Sequence, residues 1–206
     1  MIIAVIGKDG SGKTTVAINL AVALAKRRKK VALVDANASG HCALYLNITP
    51  VRTLNDFLAG RATIAETIIA REGVDCVLSP LSGGLCDFSR FGEIKELKYD
   101  YVVADGIPTN LADLVLVVCA PDIASATEAA KASRAARGEG KRAFLILNRV
   151  RGRKHEIAAG AIADLANIPV SQIIPESDVV AAAANARRIA MTEDFSALAE
   201  KITRIR

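Results

Sequence analysis

Residues 2–26 read IIAVIGKDGSGKTTVAINLAVALAK. Ile2–Ile6 is a continuous apolar run with no polar alternation, the pattern of a strand covered on both faces. Gly7–Thr15 then packs three glycines, two lysines and two threonines into nine residues. From Thr14 to Lys26, Ala17, Leu20, Ala21 and Leu24 recur along one helical stripe. Gly7, four residues, then Gly12-Lys13-Thr14 fits G-x-x-x-x-G-K-[ST], and it sits between a strand and a helix as that motif requires. Glycines let backbone N–H groups turn inward around an anion. The helix behind them presents its positive end to the same point. On this reading the amides of Asp9, Gly10, Ser11, Gly12, Lys13, Thr14 and Thr15 cradle a polyphosphate. Lys13 supplies a point charge to the outer phosphates, and Thr14 offers its hydroxyl to Mg²⁺.

Outward from this stretch the same alternation continues. Apolar runs at 31–34, 76–78, 101–104, 114–119, 143–147 and, weakly, 172–174 predict further strands. Helical periods appear at 123–137, 155–166 and 195–205. Strand and helix in turn predict an α/β fold: a doubly wound, mainly parallel sheet of about seven strands with helices on both faces. Ligands in such sheets sit at the carboxyl ends of the strands. The 206 residues suit a single domain spanning 1–206. The least regular region is 36–72, where short helices and a mobile loop are expected.

The chain is 51% apolar but only 4% aromatic, so its core must be aliphatic. No apolar run reaches the ~18 residues of a membrane span, and Met1–Gly7 is too short for a signal sequence, which points to the cytoplasm. The four cysteines, Cys42, Cys76, Cys86 and Cys119, stand singly, without CxC or CxxC spacing, which argues against a zinc site within one chain. Cys119 ends an apolar run and reads as core. Cys42 and Cys86 read as loop residues, either free thiols or ligands shared across a dimer. The net charge of +5, with basic clusters at 26–30, 131–142 and 149–154, fits either a solvated surface or a face for DNA or acidic lipid. His41 and His155 show no ligand spacing.

Lys8 adds a resemblance. Lys8-Asp9-Gly10-Ser11-Gly12-Lys13-Thr14 is similar to the K-G-G-x-G-K-[TS] loop of the deviant Walker-A P-loop ATPases, the family of MinD, ParA, the Mrp-type carriers and the nitrogenase iron protein. The match runs over nearly the whole chain. "VALVDAN" resembles that family's second strand and first switch, which puts Asp35 near the Mg²⁺ shell. "YDYVVADGIPTN" resembles its Walker-B strand and second switch, where Asp105 would hold a metal-bound water. "LADLVLVVCAPDIASATEA" resembles the strand and helix that follow. "FLILNRV" is similar to the strand ending beside the base, giving Asn148 and Arg149, and "IIPESDVVAAAANAR", with Pro175, to the segment against adenine. The resemblance implies ATP and ADP as ligands, Mg²⁺ as cofactor, and an ATP-dependent homodimer in which Lys8 reaches the partner's phosphates. It also implies catalytic roles for Lys8, Lys13, Asn37 and Asp105, with Thr14, Asp35 and Asp105 around the metal. ATP is favoured over GTP, because Asn148-Arg149-Val150-Arg151 lacks the acid of the guanine-reading N-K-x-D.

Two departures stand out. Asp9 replaces a family glycine beside the proposed γ-phosphate, and like charges there repel unless a cation intervenes. Lys8, from the same chain or its partner, could be that cation; otherwise Asp9 hinders the dimer or simply faces solvent. Asn37 stands where relatives often carry the second Asp of D-x-D, so slow hydrolysis is expected. The output of the switch stays open among three readings. One is a MinD- or ParA-type positioning ATPase on a membrane or on DNA. The others are a metal- or cluster-insertion ATPase and a degenerate nucleotide-binding module. The closing "FSALAEKITRIR" carries Phe195, Leu198, Ile202 and Ile205 on one face, either for a membrane surface or for packing on the domain.

Overall fold

The computed structural model describes the chain except residues 38–39, 82–83, 85–86 and 206, and for 153–159 it describes the backbone alone. Eight strands form one sheet: β1 (Ile2–Ile6), β2 (Val31–Asp35), β3 (Ile68–Arg71), β4 (Val74–Val77), β5 (Tyr101–Asp105), β6 (Leu114–Cys119), β7 (Arg142–Val150) and β8 (Val170–Pro175). Their spatial order is β3-β4-β2-β5-β1-β6-β7-β8. All neighbours run parallel except β3 and β4, an antiparallel hairpin at one edge. That hairpin accounts for the strand beyond the expected seven. Ile68–Arg71 carries no long apolar run because it is an edge strand, and two of its four residues are exposed.

The helices are α1 (Lys13–Lys26), α2 (His41–Leu46), α3 (Leu54–Leu58), α4 (Ile64–Thr67), α5 (Ile123–Gly138), α6 (Gly152–Ala166), α7 (Asp178–Asn185) and α8 (Glu193–Arg204). Successive strand residues feed opposite sides of the sheet, as the pleat requires. Ile2 and Ala4 join one core with Phe57, Phe91 and residues of α5 and α6. Ile3 and Val5 join the other with α1, α2 and α8. Both cores are mainly aliphatic, which is why the strands read as unbroken apolar runs. The irregular region 36–72 proves to hold α2, α3, α4 and β3. Two of these helices are too short for a hydrophobic period but carry capping boxes, Thr53 with Asp56 and Thr63 with Glu66. Cys42 is not a loop residue: it lies in α2 and is completely buried. Cys119 is core as expected. Cys86 and the side chain of His155 lie outside the described residues.

The closing helix packs inward. Phe195, Leu198, Ala199 and Ile202 are all 0% exposed, in the core they share with α1. The apolar face of residues 195–205 is thus occupied within the chain. Among the described residues no helix is long and apolar enough to cross a membrane.

Candidate functional site

The parallel order places β1, β5 and β2 side by side, with their carboxyl ends on one rim. The loop after β1 turns at Gly7, whose φ is +145° and where a Cβ would stand 2.1 Å from the Val118 carbonyl oxygen of β6. Any side chain there would drive the loop off the sheet. Gly12 caps α1 in the left-handed region with φ +95°. A Cβ on it would lie 2.2 Å from Nδ2 of Asn148. That contact has a purpose, since Asn148 Nδ2 donates to the Ser11 carbonyl oxygen at 2.8 Å and ties β7 to the loop. Within the loop, Ser11 N–H donates to the Lys8 carbonyl oxygen at 3.1 Å. The Val16 N–H bonds Gly12 O at 3.0 Å. The amides of Lys13, Thr14 and Thr15 ahead of it are the unpaired donors with which a helix begins.

Lys13 is almost buried, at 8% exposure. Its Nζ donates to the Lys8 carbonyl oxygen at 3.1 Å and to Asp9 Oδ1 at 3.0 Å. In the free chain the cation paired with Asp9 is Lys13. The turn at residues 10–12 brings Asp9 back over the first residue of α1. The Asp9 side chain is otherwise fully exposed. The Lys13 hydrogen bond holds its carboxyl below the usual range, and Lys8 contributes more weakly.

Behind the loop sit two acids in register. Asp35 ends β2, Asp105 ends β5, and the two are paired across the ladder. Both are completely buried. Asp105 Oδ2 accepts from Thr14 Oγ1 at 2.6 Å. Asp35 accepts from the Asn37 N–H at 3.1 Å and from the Cys42 N–H at 3.0 Å. Burial, and then the neighbouring Asp105, push the Asp35 carboxyl up to about 7. Burial raises Asp105 as well, against the opposing pull of Thr14, Lys13 and His41. The two switch segments touch. Ala36 N–H donates to the Asp105 carbonyl oxygen at 2.9 Å, and a Cβ on Gly106 would meet the Asn37 backbone at 3.5 Å.

A cleft of about 280 Å³ opens beside the loop, lined among others by Thr15, Tyr45, Asn148, Arg149, Pro175 and Val180. The expected base-side residues therefore gather in one place. Glu176, an acid on the wall of this cleft, is paired with Arg151.

Every residue expected from the sequence thus falls on one rim: Lys8 to Thr15 on the loop, Asp35, Asn37 and Asp105 behind it, Asn148, Arg149 and Pro175 beside it. Cys42 was missed. Its Sγ stands 3.8 Å from Oδ2 of Asp105, an acid 63 residues further along the chain. Tyr45 of the cleft wall was missed too, because it belongs to no motif, whereas Val180 lies in the stretch that resembles the adenine segment.

A phosphate loop between β1 and α1, with two strand-end acids behind it, defines a nucleotide-binding P-loop domain. The chain belongs to the CobQ/CobB/MinD/ParA nucleotide-binding domain family, whose model matches residues 2–189. It is 36% identical to an uncharacterized ATP-binding protein of Methanocaldococcus jannaschii, across 86% of this chain and 75% of that protein. Among solved structures it resembles the cell division ATPase MinD of Pyrococcus furiosus, with a TM-score of 0.86 and 25% identity over 100% of this chain and 99% of that one. It also resembles the septum site-determining protein MinD of Pyrococcus horikoshii in complex with Mg-ADP. There the TM-score is 0.85 and the identity 27%, over 99% of this chain and 96% of that one.

Proposed function

We propose that this chain is an ATP- and Mg²⁺-dependent switch of the MinD/ParA type, a slow ATPase that positions a partner on a surface in the cytoplasm. The observation that carries the reading is Lys13. A nearly buried ammonium, cradled by a carbonyl and by an exposed carboxylate on the same loop, is poised for a polyanion. The metal site passes a separate test of fit. Asp105 Oδ1 is buried with no hydrogen-bond partner among the described residues, as is Ser11 Oγ. Two buried acids side by side need a cation between them to be ionised together. When bound, Mg²⁺ would supply charge neutralisation to the phosphates. Thr14 would hold it directly, and Asp35 and Asp105 would orient its waters.

The chain's own residues then divide the work. The loop amides and Lys13 bind and orient the phosphates. Asn148, hydrogen-bonded to Ser11 O, fixes the loop against β7 while its neighbours Arg149 and Pro175 flank the base. The stretch Asn148-Arg149-Val150-Arg151 carries no acid to accept from a guanine, which favours ATP. Asn37 reaches the switch through its backbone bond to Asp35. An amide can hold an attacking water but cannot take its proton, which supports slow turnover. Lys8 is assigned the trans contact in an ATP-bound homodimer. A DNA or membrane surface as the site of action draws on the likeness to MinD and ParA.

Calorimetry with Mg·ATP tests the core of this reading. Binding in the wild type that falls at least ~100-fold in Lys13→Ala supports it, and no heat in the wild type refutes it. Light scattering on a sizing column, with and without Mg·ATP, tests the homodimer: a doubling of mass is expected, and an unchanged monomer refutes the trans role of Lys8. Salt-sensitive DNA retention and liposome sedimentation separate the two surfaces.

A further inference from the structure

Cys42 is the one member of the buried cluster for which the nucleotide mechanism has no use. Its Sγ and carboxylate oxygens of Asp35 and Asp105 all lie within 4.8 Å of one another, and all three residues are buried. The Sγ to Asp105 Oδ2 distance is 3.8 Å. Two ligands of one zinc ion, each ~2.0–2.3 Å from it, stand at most about 4.6 Å apart, so this cluster is near the size of a zinc site. The second pointer is independent of the cysteine. Asp105 is 0% exposed, and its Oδ1, part of the carboxylate facing the thiol, has no hydrogen-bond partner among the described residues.

Ligand chemistry separates this site from a plain magnesium site. Mg²⁺ is hard, takes oxygen ligands and keeps several waters. A thiolate adds nothing for it. Zn²⁺ takes sulfur and carboxylate together, in three-ligand sites that leave a fourth position open. The Asp35 oxygens, held by the Asn37 and Cys42 N–H groups, are oriented in advance. The Cys42 amide and thiol thus act on the same carboxylate pair from one residue of α2.

We propose that Asp35, Cys42 and Asp105 form a zinc site in the nucleotide-free protein, overlapping the place assigned above to Mg²⁺. Coordination releases the thiol proton to solvent. The fourth position is open to water or to Thr14 Oγ1, which lies 2.6 Å from Asp105 Oδ2. Zinc here would occupy the acids that the magnesium–nucleotide complex needs, making the switch sensitive to zinc. The overlap rests on the nucleotide reading; the zinc site itself does not.

The test uses the full chain, stripped with chelator and free of nucleotide. Titration with Cd²⁺, a spectroscopic stand-in for zinc, should raise an ultraviolet thiolate-to-cadmium charge-transfer band that saturates at one equivalent and survives excess Mg²⁺. Zinc calorimetry should show affinity lowered at least about 100-fold in Cys42→Ser, with the cadmium band lost. Cys42→Ala, which adds no polar atom to the core, is the second variant and should lose the band equally. A band of undiminished strength in either variant overturns the proposal, because another thiol is then the ligand. So does a wild type that binds Mg·ATP but gives no band. A wild type that gives the Cys42-dependent band yet binds no Mg·ATP upholds the zinc site and sinks the nucleotide reading instead.

Discussion

Asp9 is the residue that most changes how this loop behaves. In the free chain it occupies Lys13, the group a γ-phosphate would want. An incoming nucleotide must break that pair and then tolerate the carboxylate nearby. Exposed ion pairs are worth under about 1 kcal/mol, so the effect is modest. Asp9→Gly should tighten Mg·ATP binding by up to about fivefold, measured by calorimetry. Unchanged or weaker binding would show that Asp9 does not compete. Asn37 makes the second prediction at this scale. Its backbone is fixed by Asp35 and packed against Gly106, so a carboxylate placed there would start from an ordered position. Asn37→Asp should raise steady-state ATP turnover by about tenfold or more. A rate that stays flat or falls would remove Asn37 as the reason for the slow turnover proposed above.

At the scale of elements, α8 shows what an amphipathic pattern leaves undecided. Phe195, Leu198 and Ile202 form a stripe that could face lipid or protein. The structure buries it against α1, the helix that begins at the phosphate loop. Leu198→Ala should then cost about 2–5 kcal/mol in urea unfolding, as a cavity in a packed core does. Ile123, 87% exposed at the start of α5, is the contrast, and its change to alanine should cost no more than about 0.5 kcal/mol. Equal, small costs at both positions would mean that α8 is not packed as described. The elements legible beforehand were those with a covered apolar run or several turns of helical period. β1, β2, β5, β6 and β7 announce themselves as aliphatic runs because both faces are covered. The short helices α2, α3 and α4 span too few turns to show a period, and β3 is an edge strand whose pairing with β4 only the hairpin reveals.

For the whole molecule, the doubly wound order sets two buried acids on adjacent strand ends, with consequences for pH. The folded chain holds the Asp35 proton up to about 7, whereas the unfolded chain releases it near 3.8. Between those values the folded state binds the extra proton, so stability of the metal-free chain falls as pH rises through this window. Asp105 works in the same direction. The carboxyls of Asp9, Asp56 and Asp122, held low by their partners, act with the opposite sign but only below about pH 4. Melting temperature without Mg²⁺ should therefore decline from about pH 5 to about pH 7, and saturating Mg²⁺ should flatten the decline. A rise over the same range would show that the two carboxyls are solvated.

The sequence by itself determined the phosphate loop, the alternation of strand and helix, and the acids at the strand ends. Each is a local pattern, set by glycine's freedom, the covered strand's aliphatic run, or an Asp following it. Only the tertiary structure decided that Lys13 pairs with Asp9, that Asn148 clamps the loop, and that the last helix turns inward. It also decided that Cys42 enters the acid pair. That last contact depends on the parallel register of β2 with β5 and on the turn at Gly40, where φ is +58° and which swings α2 back over the sheet. Distances between residues far apart in the chain are fixed by packing, which no local pattern records.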